Sequence, residues 1–539
     1  MLLATYLFRN LAAVAIACLP PLAGAFWTMG GMGLVGEPVN TLNSIVPALV
    51  LVVGFTDAVH LLLEIRRERT RGRTARGAAA ASLRCLMLPC FLTSATTAVG
   101  FASLAVAQLE IVRRFGLTCA AGALINFAAV VPLVPYLSTT WLGRSLGSRV
   151  PDEKAELRLE RALGRLVHAL LGRARLVAIA GFVLTLLLLT AAFQLRPDNH
   201  LRAGIPNGTA SYEALRYCDE SFGGVMYSYV VVEWPREEEL GSVEVLRALG
   251  DIHQLLAEQE QLGPPFSVLN LLQSLPHRSG QLQTAVRYLD AIPPKMLNKL
   301  VREEQRLAVV MAQTPDRGAR ALEPVFTVVE EQLRNLAADY PGFRFRLTGS
   351  TVVSARNVNL IIEDLVSSLG LAALIILATL TVAFRSLRFG LMTLIPNVLP
   401  LAAAGAVLWL RGDGLEVQAV ITFSICLGVA VDDTIHVLNR FVRGVAEGAD
   451  TRSAIESATV RAGYALTITT LTMLGGFGSG LFSALPVLRV FSLLSCIALL
   501  SALAASLVLL PALLSCFRPE TVPQSVSTLF RGEPATEQG

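Results

Sequence analysis

Charged residues are scarce in this chain. Only 16% of its 539 residues are Asp, Glu, Lys or Arg, whereas 53% are hydrophobic. The mean hydropathy is +0.57. This composition excludes an ordinary soluble enzyme and is typical of a membrane protein. The net charge of +4 is too small to indicate a nucleic-acid partner.

Signatures for nucleotides, disulfides and metals are also lacking. The sequence has no GxxxxGK[ST] loop for nucleotide phosphates, which argues against an ATP-driven pump. Its eight cysteines form no CxxC pair and show no zinc-ligand spacing, so we expect neither disulfides nor a structural metal. We therefore expect a protein without a cofactor and without enzymatic activity.

Long apolar runs are what the sequence does contain. With about 20 apolar residues for each crossing, it predicts ten complete spans, roughly at 11–32, 42–63, 86–107, 113–138, 176–195, 361–383, 389–410, 418–439, 462–483 and 488–515. Arginine is concentrated in loops on one side, with seven in 64–84 and eight basic residues in 144–175. By the positive-inside rule, these loops and both chain ends are predicted to be cytoplasmic. An Arg-bearing helix at about 153–173 is expected to lie along the inner surface.

A long polar segment, 197–355, interrupts the spans and is predicted to lie outside the cytoplasm. It is predicted to hold three strands and two helices in alternation, at 225–234, 243–261, 306–313, 319–339 and 343–349. This order predicts a ferredoxin-like split βαβ unit.

The two membrane halves match each other at a constant offset of 376 residues. The matching pairs include Phe8 with Phe384, Pro20 with Pro396, Gly36 with Gly412, Asp57 with Asp433, His60 with His436, Arg113 with Arg489 and Pro135 with Pro511. Matches in Asp, His, Arg and Pro at one offset are not expected by chance among apolar segments. The sequence thus predicts an internal repeat, which is typical of secondary transporters.

The repeat is incomplete at its beginning. Only the last turn of a counterpart to the span at 361–383 remains, and the span at 176–195 and the outside domain have no counterpart. We expect a longer parent sequence with one more outside domain. A wrongly chosen start codon and a real truncation fit this pattern equally well.

Carboxylates interrupt two of the predicted spans. Asp432 and Asp433 lie inside 418–439, and Asp57 occupies the place equivalent to Asp433. Ionised groups cost several kcal/mol in lipid, so these residues indicate a path for protons or ions. The alternative is a span end whose polar groups reach the headgroups. His60 and His436 follow one turn later, either as partners or gates of the carboxylates or as interfacial residues at the inner ends of their spans.

Hydroxyl side chains are clustered in both halves. Thr469, Thr470 and Thr472 lie in the span at 462–483, and the matching region of the first half contains Thr93, Ser94, Thr96 and Thr97. Such hydroxyls are suited to carry a water chain or to bond the carboxylates. Ordinary close packing of helices through small polar residues is the alternative.

Together these features resemble the resistance–nodulation–division (RND) superfamily, and within it the MMPL-type, hydrophobe/amphiphile exporter branch. The resemblance rests on GVAVDDTIHVLNRF (428–441), on the outside domain after a lone span, and on the duplicated half. The Phe-Gly-Gly inside ESFGGVMYSYVVVEW (220–234) also resembles the start of the outside domain in that family. The resemblance implies twelve spans, two outside porter domains, and proton influx that drives export of hydrophobic cargo. It also implies that the spans with Asp57 and Asp433 pack side by side.

We predict that Asp57, Asp432 and Asp433 carry protons, with His60, His436, Thr469, Thr470 and Thr472 as relay support. A carboxyl group that gains or loses a proton in such a place changes the charge inside the bundle, which biases two packings of the helices. The first half has Thr56 at the position of Asp432, so the predicted site is asymmetric.

The predicted organisation is a polytopic α-helical membrane protein of the RND type with one extracytoplasmic α+β, ferredoxin-like porter domain. The first membrane half is incomplete, with about four spans (1–140), and is followed by a cytoplasmic linker with an amphipathic helix (141–175) and a lone span (176–196). The porter domain (197–355), a second half of five spans (356–517) and a cytoplasmic tail that we expect to be disordered (518–539) complete the chain.

The leading hypothesis is a proton-driven exporter of a hydrophobic or lipid-like molecule in a bacterial inner membrane. A non-transporting membrane partner or sensor with the same fold, and a proton-driven aid to protein export, are the alternatives. The expected partners are the substrate, protons and membrane lipids. A homo-oligomer, or a partner that supplies the missing N-terminal elements, is a further hypothesis, and no nucleic acid is expected.

Overall fold

Two groups of long helices and an α/β domain between them account for most of the chain in this computed structural model. It describes residues 10–40, 43–107, 110–146, 153–196, 198, 200–274, 286, 289 and 292–517. The predicted tail, 518–539, lies outside the described residues.

The first half of the bundle contains four long helices. They are α1 (Leu11–Leu34), α2 (Val46–Thr70), α3 (Ala75–Ala102) and α4 (Glu110–Thr139). The Asn10 side chain accepts hydrogen bonds from the first-turn amides of α1, and Thr74 Oγ1 accepts one from Gly77 N in α3. These caps satisfy amides that a helix start otherwise leaves unpaired.

Two helices connect this half to the α/β domain, and they differ in their surfaces. They are α5 (Glu153–Leu171) and α6 (Ala174–Ala192). Leu163, Val167 and Leu171 are buried at intervals of four residues along α5, so one face of this amphipathic helix packs against the second half. The side chains of α6 are mostly exposed, as expected for a helix that borders lipid.

An antiparallel sheet forms the centre of the α/β domain. In chain order the elements are α7 (Ala210–Phe222), β1 (Met226–Glu233), α8 (Val243–Ala257), β2 (Pro265–Phe266), α9 (Val268–Ser274), α10 (Pro294–Leu297), β3 (Val301–Arg302), β4 (Leu307–Thr314), α11 (Ala319–Leu336) and β5 (Arg344–Thr348). The strands lie in the order β2-β4-β1-β5, and β3 pairs with β4. The three predicted strands and two predicted helices correspond to β1, β4, β5, α8 and α11.

The register of the sheet gives the domain its core. Val230 of β1 lies opposite Val310 of β4 and opposite Leu347 of β5. Alternate residues of a strand face the same side, and on this side they bury against α8 and α11 through residues such as Leu249 and Phe326. The apolar alternation in the sequence therefore fixes which face of the sheet the helices cover.

The second half of the bundle follows directly from β5. Its helices are α12 (Ser350–Ala383), α13 (Leu387–Arg411), α14 (Val417–Ala446), α15 (Thr451–Ser479), α16 (Pro486–Ala504) and, after a π-helical stretch at Ala505–Leu509, α17 (Leu510–Phe517). The two halves share buried apolar clusters, one of which joins Leu49 and Phe115 to Ile425, Met473 and Phe491. The halves therefore form one bundle.

Eight helices among the described residues are long and apolar enough to cross a membrane. They overlap eight of the ten predicted spans. The predicted spans at 361–383 and 418–439 lie in α12 and α14, several of whose side chains are outside the described part of the chain. The full count of ten spans stays a prediction.

A cluster of charged residues joins the α/β domain to the bundle. Arg196 O accepts a hydrogen bond of 2.9 Å from Leu415 N, just before α14. Two residues later, Asp198 Oδ1 accepts from Arg320 N in the first turn of α11, at 3.3 Å. His200 lies between two carboxylates, with Nε2 3.3 Å from Asp198 Oδ2 and Nδ1 3.7 Å from Asp316 Oδ1. The neighbouring carboxylates of Asp316 and Asp198 raise the pKa of His200 above its ordinary value.

This raised pKa predicts a pH dependence of stability. The protonated ring stabilises the fold fully below about pH 6.5, the ordinary pKa of histidine, and that contribution is lost as the pH rises through the higher pKa of the folded state. We expect the melting temperature of the detergent-solubilised wild type to exceed that of H200Q most at about pH 5.5. The difference should shrink as the pH approaches about 8.5.

The variant H253Q serves as a control of opposite sign. Burial lowers the pKa of His253, so any contribution of its neutral ring is lost as the pH falls. Parallel pH dependence in H200Q and H253Q would contradict the assignment to the His200 cluster.

Candidate functional site

The predicted carboxylates are all buried in the interior of the bundle. Asp57 in α2 is 3% exposed, and Asp432 and Asp433 in α14 are 5% and 4% exposed. The alternative in which these groups reach the headgroups at a span end does not fit this burial. Carboxylates in such a place need hydrogen-bond donors or a proton.

One helix supplies donors to carboxylates from both halves. Thr93 Oγ1 and Ser94 Oγ of α3 donate to the two oxygens of Asp57, at 3.2 and 3.3 Å. One turn further along the same helix, Thr97 Oγ1 donates to Asp432 Oδ1 at 3.4 Å. Helix α3 therefore lies beside both acidic residues, and its hydroxyls form a short polar track between them.

The two histidines form a direct contact between α2 and α14. The rings of His60 and His436 stack with centroids 3.8 Å apart and an angle of 12° between their planes. Both side chains are 2% exposed. In the part of the chain that the structure describes, neither Nε2 atom has a hydrogen-bond partner. The stack places α2 and α14 side by side one turn away from Asp57 and Asp433.

A further pair of charges, which the sequence analysis did not single out, lies one turn beyond the histidines. Arg440 Nη2 of α14 is 3.3 Å from Glu64 Oε2 of α2. Each helix thus presents an acid, a histidine and a charged residue at spacings of three and four, which is one face of a helix. The offset of 376 residues predicts this pair from the sequence, because Glu64 and Arg440 are also 376 residues apart.

The predicted threonines of the second half are placed differently. Thr469 and Thr470 are buried in α15. Thr469 Oγ1 donates to main-chain oxygens of Ala465 and Leu466, and Thr472 Oγ1 donates to Ile468 O. These two hydroxyls are used by their own helix. In the first half, Thr96 at the position matching Thr472 likewise bonds its own helix, whereas Thr93 at the position matching Thr469 donates to Asp57 as well as to Cys90 O.

A glycine allows α14 to approach α3. A Cβ atom at Gly428 would lie 3.3 Å from the Thr97 side chain. Gly428 precedes Asp432 by one turn. The Thr97 side chain can therefore pack against Gly428 and donate to the Asp432 carboxylate at the same time. The hydrogen bond to Asp432 therefore depends on the absence of a side chain at residue 428.

These features define a polytopic helical membrane protein whose two halves enclose acidic residues. The MMPL family matches residues 3–185 and 206–525, and the chain belongs to this family of RND-type membrane transport proteins. A protein of Methanocaldococcus jannaschii, MJ1562, whose name describes it only as a membrane protein, is 30% identical over 130 residues. That match covers 24% of this chain and 34% of the relative, so the chain spans about a third of that protein's length.

The role of Gly428 can be tested with a larger side chain. We expect Gly428→Leu to displace Thr97 and to lower the free energy of unfolding by about 1–3 kcal/mol, the usual cost of overpacking. Gly476→Leu in α15 is the matched control, because a Cβ there meets no atom within 4 Å. Both replacements gain the same helix propensity, so the difference in melting temperature isolates the contact. Equal melting temperatures would show that the approach of α14 to α3 is not tight.

The ion pair can be tested by removing each partner. We expect Glu64→Gln to lower the free energy of unfolding by about 2 kcal/mol, because it leaves the partly buried Arg440 without this carboxylate. Arg440→Gln should have a similar effect, and the double variant should lose less than the sum. Glu456→Gln, which breaks a more exposed pair with Arg452, should change stability much less. Additive effects of the two substitutions would contradict a direct interaction.

Proposed function

We propose that the protein is a secondary transporter driven by the proton-motive force, and that it exports a hydrophobic or lipid-like substrate. The observation that carries the proposal is the burial of Asp57, Asp432 and Asp433 between the two halves of the bundle. Acidic residues inside a membrane bundle are costly and mark proton or ion paths. The transport class of the family supports this reading.

In the proposed mechanism, the three carboxyl groups take up and release protons in turn. The hydroxyls of Thr93, Ser94 and Thr97 connect Asp57 to Asp432 along α3. Protonation removes a buried charge, so the helices that face it favour a different packing. The His60–His436 stack is proposed as the gate at the next turn, because its two rings join α2 and α14 there.

An internal repeat of the RND type is part of the proposal, and the helix boundaries support it. The helices α1, α3 and α4 begin at Leu11, Ala75 and Glu110, and α13, α15 and α16 begin 376 residues later, at Leu387, Thr451 and Pro486. Gly36 and Gly412 have positive φ after α1 and α13, and Gly72 and Gly448 have positive φ after α2 and α14. Such left-handed turns favour glycine.

The contacts between the halves support the same repeat. His60 stacks on His436 and Glu64 pairs with Arg440, and each pair is separated by 376 residues. A residue that touches its own equivalent lies on a two-fold axis. We therefore propose a pseudo-two-fold axis that passes between α2 and α14.

The α/β domain is proposed as a ferredoxin-like porter domain on the periplasmic side of a bacterial inner membrane, with both termini cytoplasmic. The strand order β2-β4-β1-β5 with α8 and α11 on one face supports the ferredoxin-like assignment. A cleft of about 590 Å³ opens beside β2 and β4, and its lining includes Tyr227, Phe266 and Met311. Aromatic and apolar lining supports a hydrophobic cargo.

We propose transport without enzymatic activity. The chain does contain a GxSxG pattern, GRSLG at 143–147. Its described part lies in a 3₁₀ turn, Trp141–Leu146, after a long helix. A nucleophile elbow needs a strand that turns sharply into a helix, so the local structure favours a simple turn over a hydrolase site.

Asparagine substitutions test the proposal directly. In a deletion strain, D57N, D432N and D433N should each fail to restore export of the lipid that the strain retains, because asparagine cannot carry a proton. Asp450→Asn is the control, since Asp450 caps α15 in an exposed place and Asn caps equally well. Lipid analysis of the outer surface measures export, and the melting temperature of each variant checks its fold. Normal export by all three folded variants would rule out the proton relay and favour a non-transporting membrane partner.

A further inference from the structure

An arginine-lined cavity of about 730 Å³ lies at the end of the bundle farthest from the α/β domain. It is formed where α2 and α14 end and where α3 and α15 begin. The opposite end of α14 is the end that contacts Arg196 beside the α/β domain. The cavity therefore opens on the other face of the bundle, and both halves line it.

Positive charge dominates this cavity. Seven arginines and three glutamates line it. Glu64 is shared by Arg440 at 3.3 Å and Arg67 at 3.8 Å, and Glu68 Oε2 lies 2.8 Å from Arg73 and its other oxygen pairs with Arg71. Two carboxylates thus face four guanidinium groups, which leaves a local excess of positive charge.

Three more arginines increase this excess. Among the ion pairs of the described residues, none includes Arg84, Arg443 or Arg461. Arg443 donates to the sulfur of Cys85 rather than to a carboxylate. All three arginines line the cavity, with Arg84 on α3 of the first half and Arg443 and Arg461 on α14 and α15 of the second half.

The chemistry of the lining favours a phosphate group. Guanidinium groups bind phosphate through paired, charge-assisted hydrogen bonds. Ser453 and Ser457, in the first turns of α15, add hydroxyl donors to the same wall. The first turn of α15 lines the cavity through Ser453 and Ala454, and its helix dipole also favours an anion. The volume is large enough for a phosphate with its attached headgroup.

We propose that this cavity is a binding site for a phosphate-bearing anion, either the headgroup of an acidic phospholipid or a soluble phosphate. A bound phosphate would bridge arginines from α3 and α15, and so brace the two halves of the bundle against each other. This site does not include Asp57, Asp432 or Asp433, and its existence does not depend on the transport proposal.

The test compares a double variant in the cavity with a matched double variant outside it. R84Q/R461Q removes two arginines that line the cavity. R173Q/R175Q removes two exposed arginines at the start of α6, at the same end of the bundle. R84K/R461K keeps the charge but loses the planar fork. All proteins are purified in detergent and compared at one constant ionic strength, because a change in salt concentration would itself change the screening of the charges.

Each protein is titrated with inorganic phosphate, with short-chain phosphatidylglycerol and with short-chain phosphatidylcholine, and its melting temperature is recorded. We expect an anion to stabilise the wild type and R173Q/R175Q, and its apparent affinity for R84Q/R461Q to fall by about tenfold or more. R84K/R461K should lie between them.

The titrations separate the two sources of phosphate. Stabilisation by phosphatidylglycerol alone would assign the site to a lipid headgroup, and stabilisation by inorganic phosphate would assign it to a soluble anion. Equal effects of phosphatidylglycerol and phosphatidylcholine, no anion effect on the wild type, or equal losses in both double glutamine variants would overturn the proposal. The melting temperatures without ligand show whether each variant is folded.

Discussion

The need to hold carboxylates away from water inside the bundle governs the arrangement of its central helices. Asp57 and Asp432 require donors, and α3 supplies them because its hydroxyls recur at one-turn intervals on one face. That role brings α3 close to α14, and the close approach in turn requires a glycine at residue 428. The polar contacts and the packing of the central helices are therefore two aspects of one constraint.

The proposed pseudo-two-fold axis would also limit which residues can lie on it. At such an axis a residue meets its own equivalent, so identical charges would repel. The histidines avoid this conflict because neutral rings can stack. At the next turn the facing residues are Glu64 and Arg440, which attract each other. Asp432 accepts from Thr97 of α3, whereas Thr56, its match at the offset of 376, donates to its own helix.

The sequence predicts the long helices and the acidic positions well, because both depend on strong local signals. Apolar runs define α1 to α4, and a charge within such a run stands out at Asp57 and Asp432. It does not reveal which hydroxyls bond the acids, because that depends on how each helix rotates against its neighbours. Thr469 and Thr93 lie in comparable contexts along the chain, and each bonds its own helix, yet Thr93 also bonds Asp57. Glu64 was overlooked because a charge near the end of a span resembles an interfacial anchor.

The helix α12 connects the sheet and the bundle without a break. It runs for 34 residues, from Ser350 to Ala383, which corresponds to about 50 Å. Val352 and Ala355 near its start are part of the core of the α/β domain, and Ala372, Ile376 and Leu380 belong to a core of the bundle. Because each end of α12 is packed into a core, a tilt of its bundle end must either move the sheet or bend the helix.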